Sequence, residues 1–326
     1  MAVLCVAATA LFSAQVGRGA PAASPPAADS PAVDPAGEPP AKAPAPEKID
    51  LQTSDGVELA AWYYAVAKDE KPRGTVILVH DLEGSHETVE PLAQGLQRAG
   101  YAVVAPDLRG HGASTKLEDG GTTTEAKSLR KNDLLAMAAA TGGRVRDQAS
   151  MRGDLEAVRG WIKRRADADG LDLNRLCVVG VGAGGTLAAL WTVADYAWPP
   201  TTSGAQGRQV RGLALISPVW TVKGVTLQPA LKTDAMRREV PILVVSGKND
   251  RDGLRLVDQF KGLRPKEWFV QEPGKKPETA EGLAAPTDAT IFSVQLDTAL
   301  SADKLAADGS TNAAAVVATF LGIALE

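Results

Sequence analysis

Leu176-Cys-Val-Val-Gly-Val-Gly-Ala-Gly-Gly-Thr-Leu-Ala-Ala-Leu190 says more about the architecture than any other part of the chain. It opens as a continuous apolar run, passes through a glycine cluster and ends in an Ala/Leu-rich pattern that suits a helix. The order reads as strand, sharp turn, helix. The cluster matches nucleotide-binding loops in letters only. It lacks the Gly-Lys-Ser/Thr ending of a phosphate loop. Gly180-x-Gly182-x-x-Gly185 does fit the dinucleotide pattern, yet it lies late in the chain, and the next apolar run, Leu213 to Ser217, ends without an acidic residue. No cofactor is expected.

The same alternation recurs on both sides of this stretch. Gly74 to His80, Tyr101 to Ala105, Val210 to Ser217, Pro241 to Ser246 and Thr290 to Leu296 are apolar runs of strand length. Such runs mark strands buried on both faces. Between them, Glu90 to Ala99, residues 151–166 and Ala313 to Ala324 have helical spacing, and residues 49–68 read as a hairpin around Ser54-Asp55-Gly56. Strands alternating with helices predict an α/β fold, a mostly parallel sheet with helices on both faces.

The remaining sequence bounds the setting. With 326 residues and 44% hydrophobic content the chain can bury a large core, and a net charge of -4 gives no basic surface for a nucleic acid. Ala2 to Ala14 is apolar but too short to span a bilayer, which predicts a signal peptide over residues 1–19, although no Lys or Arg precedes the run. Residues 20–48 are Pro/Ala-rich and read as an extended linker, with a folded domain over 49–326. Export is therefore expected, to the periplasm, the cell surface or the medium. After cleavage Cys177 is the one remaining cysteine, so no disulfide forms. No integral membrane domain is expected.

The early loops then carry a resemblance. Thr75-Val-Ile-Leu-Val-His-Asp-Leu-Glu-Gly84 and Asp107-Leu-Arg-Gly-His-Gly-Ala-Ser114 resemble the corresponding loops of the α/β-hydrolase superfamily, in the branch of serine aminopeptidases and monoacylglycerol-lipase-like enzymes. Gly180-x-Gly182-x-Gly184 is similar to the G-x-S-x-G nucleophile elbow of that superfamily. The resemblance covers about residues 50–326. It implies a Ser, Asp, His triad in that chain order, in which histidine takes the serine proton and aspartate orients the imidazole.

Each part of that machine has a place in this sequence where it should stand. The nucleophile position is Gly182, which has no side-chain oxygen, and Val181 and Ala183 offer none either; Thr186 lies a turn into the helix. Asp250, in Gly247-Lys-Asn-Asp250, falls where the family places its acid, with a turn cap as the competing reading. The base is absent, because His80, His86 and His111 all precede the elbow. The resemblance gives His80 and His111 structural roles, and His86 is expected on an exposed loop or helix start. Asp81, Leu82 and Ala183 mark the oxyanion-hole region: Ala183 can still offer its N–H at a helix N-terminus, while carboxylates at Asp81 and Glu83 are expected to repel a developing oxyanion.

Asp81, Glu83, His86, Glu87 and Asp250 match no metal-binding spacing, and no metal is expected. The segment between Ser217 and Val240 is too short for a helical lipase lid, which leaves residues 115–148 to cover the site. The expectation is a non-catalytic, hydrolase-like protein that binds a small molecule or a protein. The competing expectation is an esterase, lipase or peptidase working through other groups.

Overall fold

The computed structural model describes residues 43–68, 70–138, 153–198 and 207–326. The expected signal peptide and most of the expected linker lie outside the described residues, as does the end of the expected cover beyond Ala138. In chain order the elements are β1 (Glu47–Gln52), β2 (Val57–Tyr64), β3 (Thr75–Val79), α1 (His86–Arg98), β4 (Ala102–Pro106), β5 (Lys116–Leu117), α2 (Lys131–Met137), α3 (Asp154–Asp169), β6 (Leu176–Val181) and α4 (Ala183–Tyr196). Next come β7 (Val210–Ile216), β8 (Thr221–Val222), β9 (Val225–Thr226), β10 (Ile242–Ser246), α5 (Arg251–Leu263), β11 (Trp268–Gln271), β12 (Glu278–Thr279), β13 (Ile291–Gln295), α6 (Ala302–Ala307) and α7 (Ala313–Ala324).

The main sheet runs β1-β2-β4-β3-β6-β7-β10-β13-β11-β12, with β5 paired to β2. Its seven-strand middle, from β4 to β11, is parallel throughout. β1 and β2 join it antiparallel at one edge, and β12 at the other. Parallel neighbours need crossovers, and the crossover helices bury both faces of the sheet. Every residue of β3, β4, β6 and β10 is accordingly buried. Burying one such Val, Leu or Ile side chain stabilises by about 1.5–3 kcal/mol, so the central strands fix the register of all that hangs from their ends.

Several expected boundaries shift. β1 starts at Glu47, two residues before the expected start of the folded domain. The helix read over 90–99 begins at His86, because Ser85 supplies the N-cap of a capping box with Thr88. The helix read over 151–166 runs Asp154–Asp169 and stops at Gly170, whose φ of 66° ends it in the left-handed region. The hairpin, the β6 strand–turn–helix unit and the final helix fall where expected. β5, β8, β9, β11, β12 and α6 are additions to the expected set, as is α2, which lies in the stretch 115–148 expected to cover the site without regular structure. Among the described residues no helix is long and apolar enough to cross a membrane.

Candidate functional site: a filled elbow

Ligands of open α/β sheets bind beyond the carboxyl ends of the strands, so the site is built from the loops that leave β3, β6, β10 and β13. After β6 the chain turns sharply into α4 through Gly182, at φ 56° and ψ -125°. That φ lies where L side chains are strained, and glycine relieves the strain. Flanking glycines let strand and helix touch: a Cβ on Gly180 would stand 2.6 Å from the Gly184 carbonyl oxygen, and one on Gly184 would overlap the carbonyl oxygen of His80. The turn is held by Gly182 N–H donating to Ile216 O at 2.9 Å and Val219 N–H donating to Gly182 O at 3.3 Å. Thr186, the nearest hydroxyl in the helix, is buried and donates to Val219 O at 2.5 Å. It is engaged as a structural tie.

The side chain of Asp81, from the loop after β3, stands over Gly182. A Cβ built on Gly182 would overlap the Asp81 carboxyl carbon and both carboxyl oxygens. Asp81 Oδ1 accepts the N–H of Leu82 and the N–H of Ala183, each at 2.7 Å. Leu82 and Ala183 lie in the region that the resemblance marks as the oxyanion hole, and their N–H groups converge at the N-terminus of α4. The Asp81 carboxyl group therefore occupies both of these donors itself. Burial raises the Asp81 carboxyl above its ordinary value, against the pull of the Ala183 and Leu82 N–H groups and of His111.

His80 sets the path of this loop. Its Nδ1 lies 2.6 Å from Asp81 O and its Nε2 accepts the N–H of Leu108 at 3.0 Å. A carbonyl oxygen only accepts, so Nδ1 carries the proton and the ring is neutral. Complete burial lowers its pKa to about 4, with His111 adding to the effect. His111 is also buried, its Nδ1 2.9 Å from Arg109 O, and the two rings lie 5.0 Å apart. His86 departs from its expected exposure: at the start of α1 it stacks on Trp62, ring centroids 3.2 Å apart, and its Nδ1 lies 3.0 Å from Asp107 Oδ1.

The Asp107 to Ser114 loop is a rigid support. Asp107 accepts the N–H of His86 at 2.7 Å and of Ala113 at 2.8 Å. Ser114 Oγ donates to Asp107 O at 2.7 Å and accepts the N–H of Ala60 at 2.9 Å. Arg109 joins Asp154, which is fully buried, through Nε at 2.8 Å, and Asp55 in the β1–β2 turn through its two terminal nitrogens at 2.6 and 3.1 Å. This bidentate pairing ties the hairpin and α3 to the loop beside the elbow.

Asp250 lies in the loop after β10 as the N-cap of α5, accepting the N–H of Gly253 at 2.9 Å. Burial raises its carboxyl above the ordinary value. Its Oδ2 is buried, as is Ser217 Oγ at the end of β7, and the Ser217 hydroxyl and the Gly253 N–H pull the carboxyl back down. After β13, where the resemblance asks for a base, Thr298 O accepts the N–H of Lys248 at 2.8 Å, and the chain then enters α6. That segment delivers Asp303, whose Oδ1 accepts the N–H of Asp81 at 3.3 Å. Sequence reading misses Asp303 because a lone acid in a loop after a late strand gives no local signal.

The candidate metal set of Asp81, Glu83, His86, Glu87 and Asp250 does not converge: among the described residues no group of three or more His, Cys, Asp or Glu side chains could hold a metal ion. Cys177 is buried within β6 and its thiol is pushed up to about 12 by burial, which leaves it inert. A cavity of about 360 Å³ between α1 and the start of α7, lined by Pro91, Gly95 and Ala314 among others, shares no lining residue with the elbow.

Comparison with known proteins agrees with this frame. The family described as serine aminopeptidase, S33, matches residues 70–233 of the chain, from before β3 to beyond the elbow. The chain belongs to the serine aminopeptidase S33 family of α/β-hydrolases. Among solved structures, an esterase from Pyrococcus furiosus is similar at 14% identity and a TM-score of 0.52, over 85% of this chain and 90% of that one. A protein from Thermus thermophilus is similar at 17% identity and a TM-score of 0.51, over 86% of this chain and 99% of that one. These likenesses show the α/β-hydrolase fold and nothing of the chemistry. No curated protein matches the sequence. Within the S33 family frame, Gly182 stands at the tip of the elbow and Asp81 lies in the donor pair beside it.

Proposed function

We propose that this chain is a non-catalytic member of the S33 family, acting as a binding or interaction module for a small molecule or a protein. The reading is carried by one observation: the Asp81 carboxylate lies over Gly182 and accepts both N–H groups that a substrate oxyanion would need. A tetrahedral intermediate has neither a nucleophilic oxygen to arise from nor a free donor pair to stabilise it. The three histidines of the chain lie before the elbow in sequence, and His80 is committed to backbone partners on both ring nitrogens. Turnover by a triad missing its serine or its histidine falls by about 10⁶-fold, and the losses do not simply add.

The purified full chain is therefore expected to resist labelling by a fluorophosphonate probe and to hydrolyse p-nitrophenyl acetate no faster than a Gly182→Ala variant. Stoichiometric labelling, or inhibitor-sensitive turnover above that variant, overturns the reading.

We also infer that the protein is exported. The inference rests on the apolar run Ala2 to Ala14 and the Pro/Ala-rich stretch after it. N-terminal sequencing of the protein from its native cells is expected to find a start between Ala14 and Ala23; a cytosolic species retaining Met1 sinks the inference.

A further inference from the structure

α7 has no charge to turn toward solvent. From Ala313 to Leu325 the chain carries no ionisable side chain, and Thr319 is its one polar residue. Yet α7 lies at the surface: Ala313, Val317, Phe320 and Leu321 are buried, while Ala315 is exposed and Val316, Ala318 and Thr319 are half-exposed. A surface helix ordinarily sets charged residues on its outer side. α5 does so, with Arg251, Arg255 and Asp258 exposed. The end of α7 has a cover, since Arg175 donates to Leu325 O at 3.2 Å and a Cβ on Gly322 would stand 3.3 Å from the Arg73 guanidinium. We propose that the first half of α7 and the groove beside it form the interface of a homodimer, two copies packing antiparallel about Ala315 with Arg98 and Asp308 paired across the rim.

The groove is the cavity of about 360 Å³ between α1 and α7. A Cβ on Gly95 of α1 would stand 2.5 Å from the Ala314 methyl carbon, and Tyr101, just past α1, donates to Ala318 O at 3.1 Å. The two helices therefore run side by side in the same direction. Helices that meet through side chains as small as these approach to about 8 Å, which leaves room for a third to lie along the pair. Both ends of the groove are charged. Asp308 lies where α7 begins, and Arg98, the exposed last residue of α1, lies toward the other end. Among the described residues neither takes part in an ion pair. An anion at one end and a cation at the other make the groove complementary to an antiparallel copy of itself. A two-fold axis between the copies sets each Arg98 against the other's Asp308.

The apolar strip supplies the affinity, and the rim charges, which water reaches, choose the orientation. The chain's own N-terminal segment fits less well as the occupant. It joins the described residues beside Pro44, whose carbonyl accepts the Gln97 side-chain N–H at 3.0 Å. Gln97 lies roughly 160° around α1 from Gly95, on the far side from the groove. The interface shares no residue with the elbow, and its readout is mass rather than hydrolysis, so it and the non-catalytic reading can fail separately.

The test is sedimentation velocity of the full chain over a concentration series at low salt. A reversible dimer is expected. Ala315→Arg should sediment as a monomer, because the two-fold sets its guanidinium against its own mate in an apolar contact. Arg98→Glu places like charges at both ends of the interface and should raise the dimer dissociation constant by about tenfold or more. Adding Asp308→Arg to Arg98→Glu should restore it, since the swapped pair attracts again. A full chain that stays monomeric at every concentration overturns the proposal, whether its own N-terminal segment or another molecule then covers the groove. So does a dimer that Ala315→Arg leaves intact, or one whose dissociation constant Arg98→Glu does not move. Asp308→Arg also gives up the Ser310 N–H that Asp308 accepts at 2.8 Å. If that variant does not fold by circular dichroism, Ala315→Arg and Arg98→Glu, both at exposed positions, decide alone.

Discussion

Gly182→Ser is expected to destabilise the protein by about 3 kcal/mol or more and to create no hydrolase. Two costs combine. A non-glycine residue held at φ 56° carries strain of about 1–3 kcal/mol. The new Cβ must also displace the Asp81 carboxylate that occupies its place, and overpacking a filled site costs about 1–3 kcal/mol. Adding Asp81→Gly should recover the second share and leave the first, so a double-mutant cycle in urea should show coupling of about 1–3 kcal/mol in favour of the pair. Strictly additive losses would mean that Asp81 does not sit over Gly182 in solution. The double variant should remain without efficient turnover, because a serine needs a base and the chain has no histidine beyond His111. Rapid ester hydrolysis by it would point to a base among the groups around the elbow.

Asp154→Ala should lower the stability by about 3–5 kcal/mol, the usual cost of removing one partner from a buried ion pair. The Asp154 side chain is completely buried, and it takes both the Arg109 backbone N–H at 2.8 Å and the Arg109 guanidinium. Loss of the carboxylate strands a guanidinium that is itself mostly buried, with only the half-exposed Asp55 to balance it. Asp55→Ala should cost less, since water can reach the end of Arg109 once that carboxylate is gone. The two variants compared by urea unfolding check this order. An Asp55→Ala loss equal to or larger than that of Asp154→Ala would mean that the β1–β2 turn, rather than α3, anchors the loop.

Much of this architecture is legible along the chain because it is local. A strand buried on both faces needs a run such as Val76 to Val79, and a turn between strand and helix at touching distance needs Gly180 and Gly184; both requirements are written in consecutive residues. The same holds for the turn residue Gly182 and for the helix cap at Asp250, each read from its own loop. The positions of His86 and Asp303 are not legible in this way. His86 is covered by Trp62, which lies 24 residues earlier on β2, and Asp303 meets Asp81 only because β13 and β3 end at the same edge of one sheet.

Residue type and spacing alone are enough for the fold, the order of the loops, and the absence of a serine at the elbow and of a histidine after the last strands. They are not enough to say what stands over Gly182, which is a matter of tertiary structure. An acid at position 81 is compatible with repelling an anion or with replacing one. The difference lies in where one carboxylate stands relative to two N–H groups, Leu82 beside it and Ala183 from 102 residues away. That relation is fixed by parallel pairing of β3 with β6, which sets the two loops side by side, and no spacing along the chain encodes it.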